Sequence, residues 1–273
     1  MTRSLTDVAL LELLRATADA VGAALDRDRL AGGAFRDKGG RPGQYRIDLV
    51  ADDAALAVLR TAGVGILSEE SGLEDRGSGV VVVVDPVDGS TNASRGLPWY
   101  ATSLCAVVDG DPRVALVRNL ATGTTWEARR GGGATRDGEP VRTSAVTRPG
   151  DAVMVLNGYA GAHAGWRQYR ALGATALDLC AVGDGSVDAT MDCTVDALGP
   201  WDYLGGALVL TEAGGRVADV QDRDLVVLDP AVRRTPVSAA TPELFDAVLA
   251  ARRALPPGRP PVVGPGRAVG DAP

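Results

Sequence analysis

The segment DPVDGSTN, residues 85–92, carries the residues best suited to chemistry, because it places two carboxylates three positions apart. It follows the run GVVVVV, which is typical of a strand buried on both faces and which ends at Asp85. Pro86 and Gly89 favour a turn directly after that strand. We therefore expect the carboxylates of Asp85 and Asp88 to converge at the end of the strand.

Hydroxyl and amide side chains follow at Ser90, Thr91 and Asn92. A helix that begins here would direct its free backbone N–H groups at an anion. Hard oxygen ligands suit Mg²⁺, which proteins hold with a few carboxylates while water and substrate phosphate complete the shell. The segment predicts a magnesium and phosphate site, with an Asp-rich surface turn as the alternative.

Two further acidic segments flank this one in the sequence. The turn SEES contains Glu69 and Glu70 directly after a short apolar run that ends at Leu67. Asp202 lies in GPWDYLGGALVLTEAGG, in the first turn of a predicted helix, where the helix dipole favours an anion. Solvated charge at a strand end and simple helix capping are the alternatives for these two segments.

The elements that must position these groups can be read from periodicity and turn signals. Strands that alternate with Asp-Gly punctuation predict antiparallel hairpins in the first half, with a turn at Asp137-Gly138. The pattern changes near residue 145, where we predict a domain boundary. The predicted helices are 5–25, 51–62, 166–171, 176–182 and 200–212, and the predicted strands are 64–67, 79–84, 101–108, 113–119, 124–129 and 152–156.

Composition excludes several classes of function. The 273 residues include 28 Lys and Arg against 35 Asp and Glu, a net charge of −7 that repels nucleic-acid polymers. No run of ~18 apolar residues is present, so we expect no membrane association. Cys105, Cys180 and Cys193 form no CxxC pair, which argues against a disulfide framework or a thiolate zinc site and favours a reducing cytoplasm.

Taken in order, EES, DPVDGSTN and WDYLGGALVLTEAGG resemble the inositol monophosphatase family, within the lithium-sensitive, magnesium-dependent phosphatase superfamily. Two weaker matches support the resemblance: GGGATRDGEPVRTS is similar to the family's central hairpin, and GATALDLCAVGDGSVDA to its substrate-side strand and helix. The resemblance covers most of residues 5–250. It implies an α/β fold, of the α+β kind, with a layered αβαβα sandwich of the inositol monophosphatase and fructose-1,6-bisphosphatase type.

On this basis the chain divides into three parts. Residues 1–145 are expected to form an N-terminal α+β half that holds the metal-binding motifs. Residues 146–254 are expected to form a C-terminal α/β half that contributes Asp202 and the substrate wall, with the site in the cleft between the halves. The Pro- and Gly-rich segment 255–273 is predicted to be a disordered tail.

The resemblance implies two or three Mg²⁺ ions in the active site. Carried over by position, Glu70, Asp85 and the carbonyl of Val87 would bind one ion, and Asp85, Asp88 and Asp202 a second. A third and weaker ion is common near the residue matched here by Glu70. Glu69 would then be the outward neighbour.

The resemblance also implies a pair of residues that orient the attacking water. Ser90 stands where the family usually has threonine, and the partner is an aspartate at the start of the second helix. The family's threonine before that aspartate is missing from DLVADDAALAVL. We align Asp52 with the aspartate on the spacing of the helix, and keep Asp53 and Asp48 as alternatives.

The remaining expectations concern the substrate. The phosphate would contact Asp88, Asp202 and the N–H groups of Gly89 and Ser90, whereas Thr175 and Asp192 would contact the alcohol part. The connection from Asp192 to the Trp-Asp pair is longer than in the family's animal members, which alters the pocket wall. Lys38 matches a mobile-loop lysine of the family, with a solvated loop lysine as the alternative reading.

The leading hypothesis is a Mg²⁺-dependent phosphatase acting on a small-molecule phosphate ester, inhibited by lithium and homodimeric by resemblance. Inositol phosphate, other sugar or polyol phosphates, histidinol phosphate and 3′-phosphoadenosine 5′-phosphate are the candidate substrates. The catalytic residues would be Glu70, Ser90 and Asp52, which direct water at phosphorus while the second ion stabilises the leaving oxygen. A catalytically weak regulatory or binding homologue is the alternative of another class.

Overall fold

The computed structural model describes residues 5–41 and 44–255. Within these residues six α-helices, one 3₁₀ turn and thirteen strands form. The helices are α1 (Asp7–Leu30), α2 (Arg46–Ala62), α3 (Ser90–Arg95), α4 (Thr175–Gly183), α5 (Pro200–Glu212) and α6 (Pro242–Ala254), and the 3₁₀ turn is Pro149–Asp151. The strands are β1 (Gly65–Ser68), β2 (Gly72–Glu74), β3 (Val80–Asp88), β4 (Ala101–Val108), β5 (Asp111–Asn119), β6 (Thr125–Arg129), β7 (Gly133–Arg136), β8 (Glu139–Pro140), β9 (Val153–Asn157), β10 (Gln168–Arg170), β11 (Ala189–Asp192), β12 (Arg216–Asp219) and β13 (Pro236–Ala239).

The first sheet has eight strands in the order β2-β1-β3-β4-β5-β6-β7-β8. Only β1 and β3 pair in parallel, and the other neighbours are antiparallel. The apolar run of β3 is buried on both faces, because Val82 and Val84 lie in the core cluster on the side of α2 while Val83 lies in the cluster on the side of α5. A strand covered on both sides cannot alternate with polar residues, which explains the continuous valines.

The second sheet has five strands in the order β10-β9-β11-β13-β12. Helix α6 packs on one face of this sheet, where Met154 and Leu156 join the buried cluster around Phe245. Helices α4 and α5 lie between the two sheets, so the layers run helix, sheet, helix, sheet, helix. The predicted αβαβα sandwich is confirmed, and α4 and α5 form its central layer.

Two element predictions need correction or a new boundary. Residues 166–171 were expected to be helical and this was wrong, because Gln168–Arg170 pairs in parallel with Val153–Val155 as strand β10. Helix α2 begins at Arg46 instead of Ala51, because the Asp48 carboxylate accepts the backbone N–H of Tyr45 at 2.8 Å. The predicted turn at Asp137-Gly138 is present, with positive φ at both residues.

Three further predictions touch the surface and the ends of the chain. None of the helices in the described part of the chain combines the length and hydropathy needed to cross a lipid bilayer. Cys105, Cys180 and Cys193 are buried free thiols. Residues 256–273 of the predicted tail lie outside the described residues.

Candidate active site

The end of β3 brings the carboxylates of Asp85 and Asp88 together through an irregularity in strand pairing. Asp85 lies opposite Ser103 and Asp88 opposite Ala101, so three steps along β3 match two steps along β4. In a regular strand, residues three apart point to opposite faces, and an extra residue of this kind returns them to the same side. The bulge is therefore what makes the D-x-x-D spacing converge.

The third carboxylate comes from the first turn of α5. Asp202 accepts the backbone N–H of Gly199 at 2.6 Å, which fixes its side chain at the start of the helix. One oxygen from each of Asp85, Asp88 and Asp202 lies within 4.8 Å of the others. We call these three residues the carboxylate cluster.

The electrostatics of the carboxylate cluster show how strongly it demands a cation. Burial raises the pKa of Asp85 and Asp88 well above the ordinary range, and repulsion from neighbouring carboxylates adds to the rise. Burial likewise raises the pKa of Asp202 to about 8, with a contribution from the Asp88 charge. Anions confined this closely are destabilised unless a proton or a cation neutralises them.

Hydrogen bonds account for only part of the oxygen atoms in the cluster. Asp85 Oδ1 accepts the Val87 N–H at 3.0 Å, whereas the buried Asp85 Oδ2 has no partner among the described residues. Asp88 Oδ2 accepts the Ala176 N–H at 2.7 Å, at the beginning of α4. A buried carboxylate oxygen without a donor is a position that a metal ion can satisfy. Oxygen donors of this kind are the ligands preferred by Mg²⁺, so the residues present fit that ion.

The SEES turn directs Glu69, not Glu70, towards the carboxylate cluster. The Glu69 carboxyl lies near the carboxylates of Asp85 and Asp202. Although Glu69 keeps access to solvent, the surrounding protein limits its hydration, and with repulsion from neighbouring carboxylates this raises the pKa of Glu69 to about 8.

Glu70 points towards the segment that precedes α2, where its side chain is largely buried. Its carboxylate accepts hydrogen bonds from Arg41 at 2.5 Å and from the Gln44 side chain. Arg41 Nη2 also donates to the Glu70 carbonyl oxygen at 2.8 Å. The arrangement differs from the expectation that Glu70 is the ligand, because Glu70 already has an internal cation as its partner.

The hydroxyl of Ser90 lies near Asp48, whereas the carboxylate of Asp52 is bonded elsewhere. Asp48 is buried near the beginning of α2, and the Ser90 hydroxyl is within hydrogen-bonding reach of its carboxylate. Burial raises the pKa of Asp48 to about 7, despite the hydrogen bonds from Tyr45 and Ser90 that favour the charged form. Asp52, one helical turn further on, is bonded to serines of the SEES turn, and Asp53 is exposed.

The backbone between the carboxylate cluster and α3 is tightly constrained. Gly89 has a φ of +85°, and a Cβ there would lie 3.0 Å from the carbonyl oxygen of Trp99. Only glycine tolerates this position, because the left-handed conformation and the close approach both exclude a side chain. Val87 is buried within the bulge, and Ser90 is the first residue of α3.

The residues predicted for the alcohol part of the substrate lie in two settings. Thr175 is the first residue of α4 and lines a small cavity together with Asp178 and Asp192. Asp192 is buried, with Oδ1 accepting the Thr194 N–H at 3.0 Å and Oδ2 without a partner among the described residues. Burial raises the pKa of Asp192 to about 7. Lys38 is an exposed loop residue.

Sequence reasoning assigned secondary roles to two residues that the structure brings into the site. Glu70 was predicted to be the metal ligand instead of Glu69, although either glutamate could point towards the site after the end of β1. Asp48 was kept only as an alternative, although the pair Tyr45 and Asp48, three positions apart, is a capping spacing that would have moved the start of α2 to Arg46.

Comparison with known proteins places this geometry in context. A sequence model described as the inositol monophosphatase family matches residues 13–256. A protein of Thermococcus kodakarensis named fructose-1,6-bisphosphatase/inositol-1-monophosphatase is 35% identical over 213 residues, covering 76% of this chain and 82% of the relative. The Nus factor SuhB of Escherichia coli K12 is 32% identical over 206 residues, covering 67% and 76%. The crystal structure of the extragenic suppressor protein suhB from Bartonella henselae superposes with a TM-score of 0.76 at 25% identity, covering 90% and 99%.

Proposed function

The chain belongs to the inositol monophosphatase family, and from this premise we propose that it is a Mg²⁺-dependent phosphomonoesterase acting on a small phosphorylated metabolite. The observation that carries the proposal is the convergence of Asp85, Asp88 and Asp202 around a buried oxygen that has no donor among the described residues. Glu69 completes this set from the other side.

We assign the metal ligands as Glu69, Asp85, Asp88, Asp202 and the carbonyl of Val87, with Glu69 replacing Glu70 in the set expected from the sequence. When bound, Mg²⁺ supplies positive charge that lowers the pKa of a water and stabilises the leaving oxygen. Two ions fit the number of carboxylates, because four anionic side chains balance the charge of two divalent cations.

Asp48 and Ser90 are proposed to orient the attacking water. The Ser90 hydroxyl can accept a hydrogen bond from that water while donating to Asp48, and the raised pKa of Asp48, about 7, suits a group that receives a proton near neutral pH. The N–H groups of Gly89 and Ser90, together with the metal ions, would hold the phosphate oxygens. This role passes from Asp52 to Asp48 because Asp52 is occupied by two serines.

The substrate class follows from relatives and not from the pocket itself. The Thermococcus protein named for fructose-1,6-bisphosphate and inositol-1-phosphate makes these two esters the first candidates, with histidinol phosphate and 3′-phosphoadenosine 5′-phosphate behind them. Thr175 and Asp192 remain the residues proposed to face the alcohol part. A cytoplasmic location, a homodimer and inhibition by lithium stay predictions.

A panel of these four esters, assayed for phosphate release with Mg²⁺ and with a chelator, tests the proposal. We expect release from at least one sugar or polyol phosphate with Mg²⁺ and none with the chelator. Asp85→Asn serves as the inactive control. Release that persists with the chelator, or no release from any ester, contradicts the proposed function.

The similarity to the Escherichia coli Nus factor supports a second candidate, a regulatory homologue that binds without turning over substrate. The same panel separates the two candidates. A protein that binds Mg²⁺ in calorimetry but releases phosphate from none of the esters would favour the regulatory function.

A further inference from the structure

Asp52 of α2 is a buried carboxylate that bonds both ends of the SEES turn. Only 4% of the residue is exposed to solvent. Its Oδ1 accepts the Ser68 hydroxyl at 2.6 Å, and its Oδ2 accepts the Ser71 hydroxyl. Both oxygens of one side chain are thus bonded to the first and last residues of the same turn, which fixes the distance between them.

The backbone of the turn is anchored from two further sides. The Glu69 N–H donates to the carbonyl oxygen of Val84 at 3.2 Å, one residue before Asp85. The Glu70 N–H donates to the Ser68 hydroxyl oxygen at 3.2 Å. With its ends held by Asp52 and its first peptide tied to β3, the turn presents Glu69 on the side of the carboxylate cluster.

Glu70 is held away from the carboxylate cluster by hydrogen bonds from the segment before α2. Gln44 bonds Glu70 through its amide nitrogen, while its amide oxygen accepts the N–H groups of Gly40 at 2.8 Å and Arg41 at 3.2 Å. The Arg41 side chain adds an ion pair to the same carboxylate. The turn therefore cannot exchange its two glutamates without breaking contacts on both faces.

We propose that Asp52 is a positioning residue that, through Ser68 and Ser71, aims Glu69 at the metal ions. The inference rests on the proposed function, because it concerns the metal site assigned there. Groups that orient a ligand are nearly as important as the ligand, and losing one typically costs roughly 10- to 100-fold in metal affinity or activity. Asp52 acts by geometry, since its carboxylate contacts the serines and not the cluster.

The test compares Asp52→Ala, Asp52→Asn and the control Asp53→Ala, which removes the exposed carboxylate of the next residue. Mn²⁺ binding is followed by titration calorimetry without substrate, and turnover is followed as a function of Mg²⁺ concentration. For Asp52→Ala we expect the affinity for Mn²⁺ to fall by about 10-fold or more. Half-saturation by Mg²⁺ should rise in parallel, with turnover largely restored at saturating metal.

Asp52→Asn distinguishes position from charge. The amide oxygen can still accept the Ser68 hydroxyl, and the amide nitrogen can donate to the Ser71 oxygen, because a hydroxyl both donates and accepts. Metal affinity close to the original is therefore expected. If Asp52→Asn loses as much affinity as Asp52→Ala, the charge matters instead of the geometry and the inference is overturned.

Ser71→Ala decides the matter if Asp52→Ala fails to fold. Ser71 is exposed, so its truncation should leave the protein folded, with only a small fall in the thermal midpoint from the lost bond to Asp52, while weakening Mn²⁺ binding by a few-fold. Unchanged affinity in Ser71→Ala, or in a folded Asp52→Ala, overturns the inference while the proposed function stands. Absence of Mn²⁺ binding by the original protein overturns the proposed function itself.

Discussion

Glu69 and Glu70 have the same side chain and adjacent positions, and only their surroundings separate them. Glu69 faces three carboxylates, and Glu70 is paired with Arg41. For Glu69→Gln we expect turnover at fixed Mg²⁺ to fall by about 100-fold or more, because a ligand should matter at least as much as its supporting groups. For Glu70→Gln the loss should stay below about fivefold, because Glu70 is not among the proposed ligands and the amide oxygen can still accept the Arg41 hydrogen bond.

Steady-state phosphate release from the best ester of the panel measures both variants. Thermal midpoints recorded with a chelator serve as the control that both proteins fold. The reverse ranking, with Glu70→Gln inactive and Glu69→Gln active, would restore the ligand set first expected from the sequence.

Asp178 carries a second prediction, which concerns stability and pH. It is 3% exposed, and burial raises its pKa to about 7, although Trp99 Nε1 donates to Oδ1 at 2.8 Å. The folded protein therefore binds a proton that the unfolded chain has released above about pH 4. Stability falls as pH rises from about 4 to about 7, by at most about 4 kcal/mol at ~1.4 kcal/mol per pKa unit.

Asp178→Asn should remove this pH-dependent cost while keeping the oxygen that accepts from Trp99. We expect the variant to exceed the original protein in unfolding free energy by about 1–3 kcal/mol near pH 8, and to match it near pH 4. Denaturant titrations in the presence of a chelator measure the difference, with exposed Asp53→Asn as the control. An equal difference at both pH values would show that folding does not raise the pKa of Asp178.

At the scale of elements, the sequence predicts those features that depend on neighbours along the chain. The buried valine strand, the D-x-x-D spacing and the start of α5 at Pro200 follow from local patterns, and they locate three of the four carboxylates. The orientation of the SEES turn does not follow from local patterns, because it depends on contacts with Asp52 and Val84, which tertiary packing brings to the turn.

Two element predictions failed for related reasons. Strand β10 forms because Gln168–Arg170 finds a partner in β9, a non-local pairing that periodicity within six residues cannot show. The partner of Ser90 was displaced by one helical turn, from Asp48 to Asp52, because the start of α2 was placed too late. In each case the missing information lay in a contact and not in composition.

The contact between α4 and α5 carries the element-scale prediction. A Cβ at Gly206 would lie 2.7 Å from the carbonyl oxygen of Ala176 and 2.8 Å from Leu179 Cβ. Gly206→Ala must therefore separate the two helices, which should destabilise the fold by about 1–3 kcal/mol. Turnover should fall as well, because Asp202 lies on α5 and the N–H that holds Asp88 lies on α4.

Gly22→Ala is the matched control for this substitution. Gly22 is also within a helix, and a Cβ there would meet no atom within 4 Å. Alanine at an open helical position should stabilise the protein by about 0.5–1 kcal/mol. Denaturant unfolding of both variants measures these opposite signs, and a Gly206→Ala protein as stable as the original would exclude the close helix contact.

Across the whole molecule, the carboxylate cluster joins elements that are distant in the sequence. Strand β3 of the first sheet supplies Asp85 and Asp88, and α5 of the central layer supplies Asp202. The fold therefore keeps repelling anions together at its centre, and the free energy of packing must offset that repulsion. A cation bound at the cluster should relieve the repulsion and stabilise all the layers that meet there.

Mg²⁺ should raise the thermal midpoint of the protein for this reason. At a concentration of 100 times the dissociation constant, a ligand that binds only the folded state stabilises it by about 2.7 kcal/mol. For a chain of this size that corresponds to a rise of roughly 5–10 °C. In Asp85→Asn the rise in midpoint caused by Mg²⁺ should largely disappear. The midpoint of this variant with a chelator should equal or exceed that of the original protein, because one buried anion is gone and the amide oxygen still accepts the Val87 N–H. NaCl at matched ionic strength is the control, and an equal rise with NaCl would reduce the effect to screening.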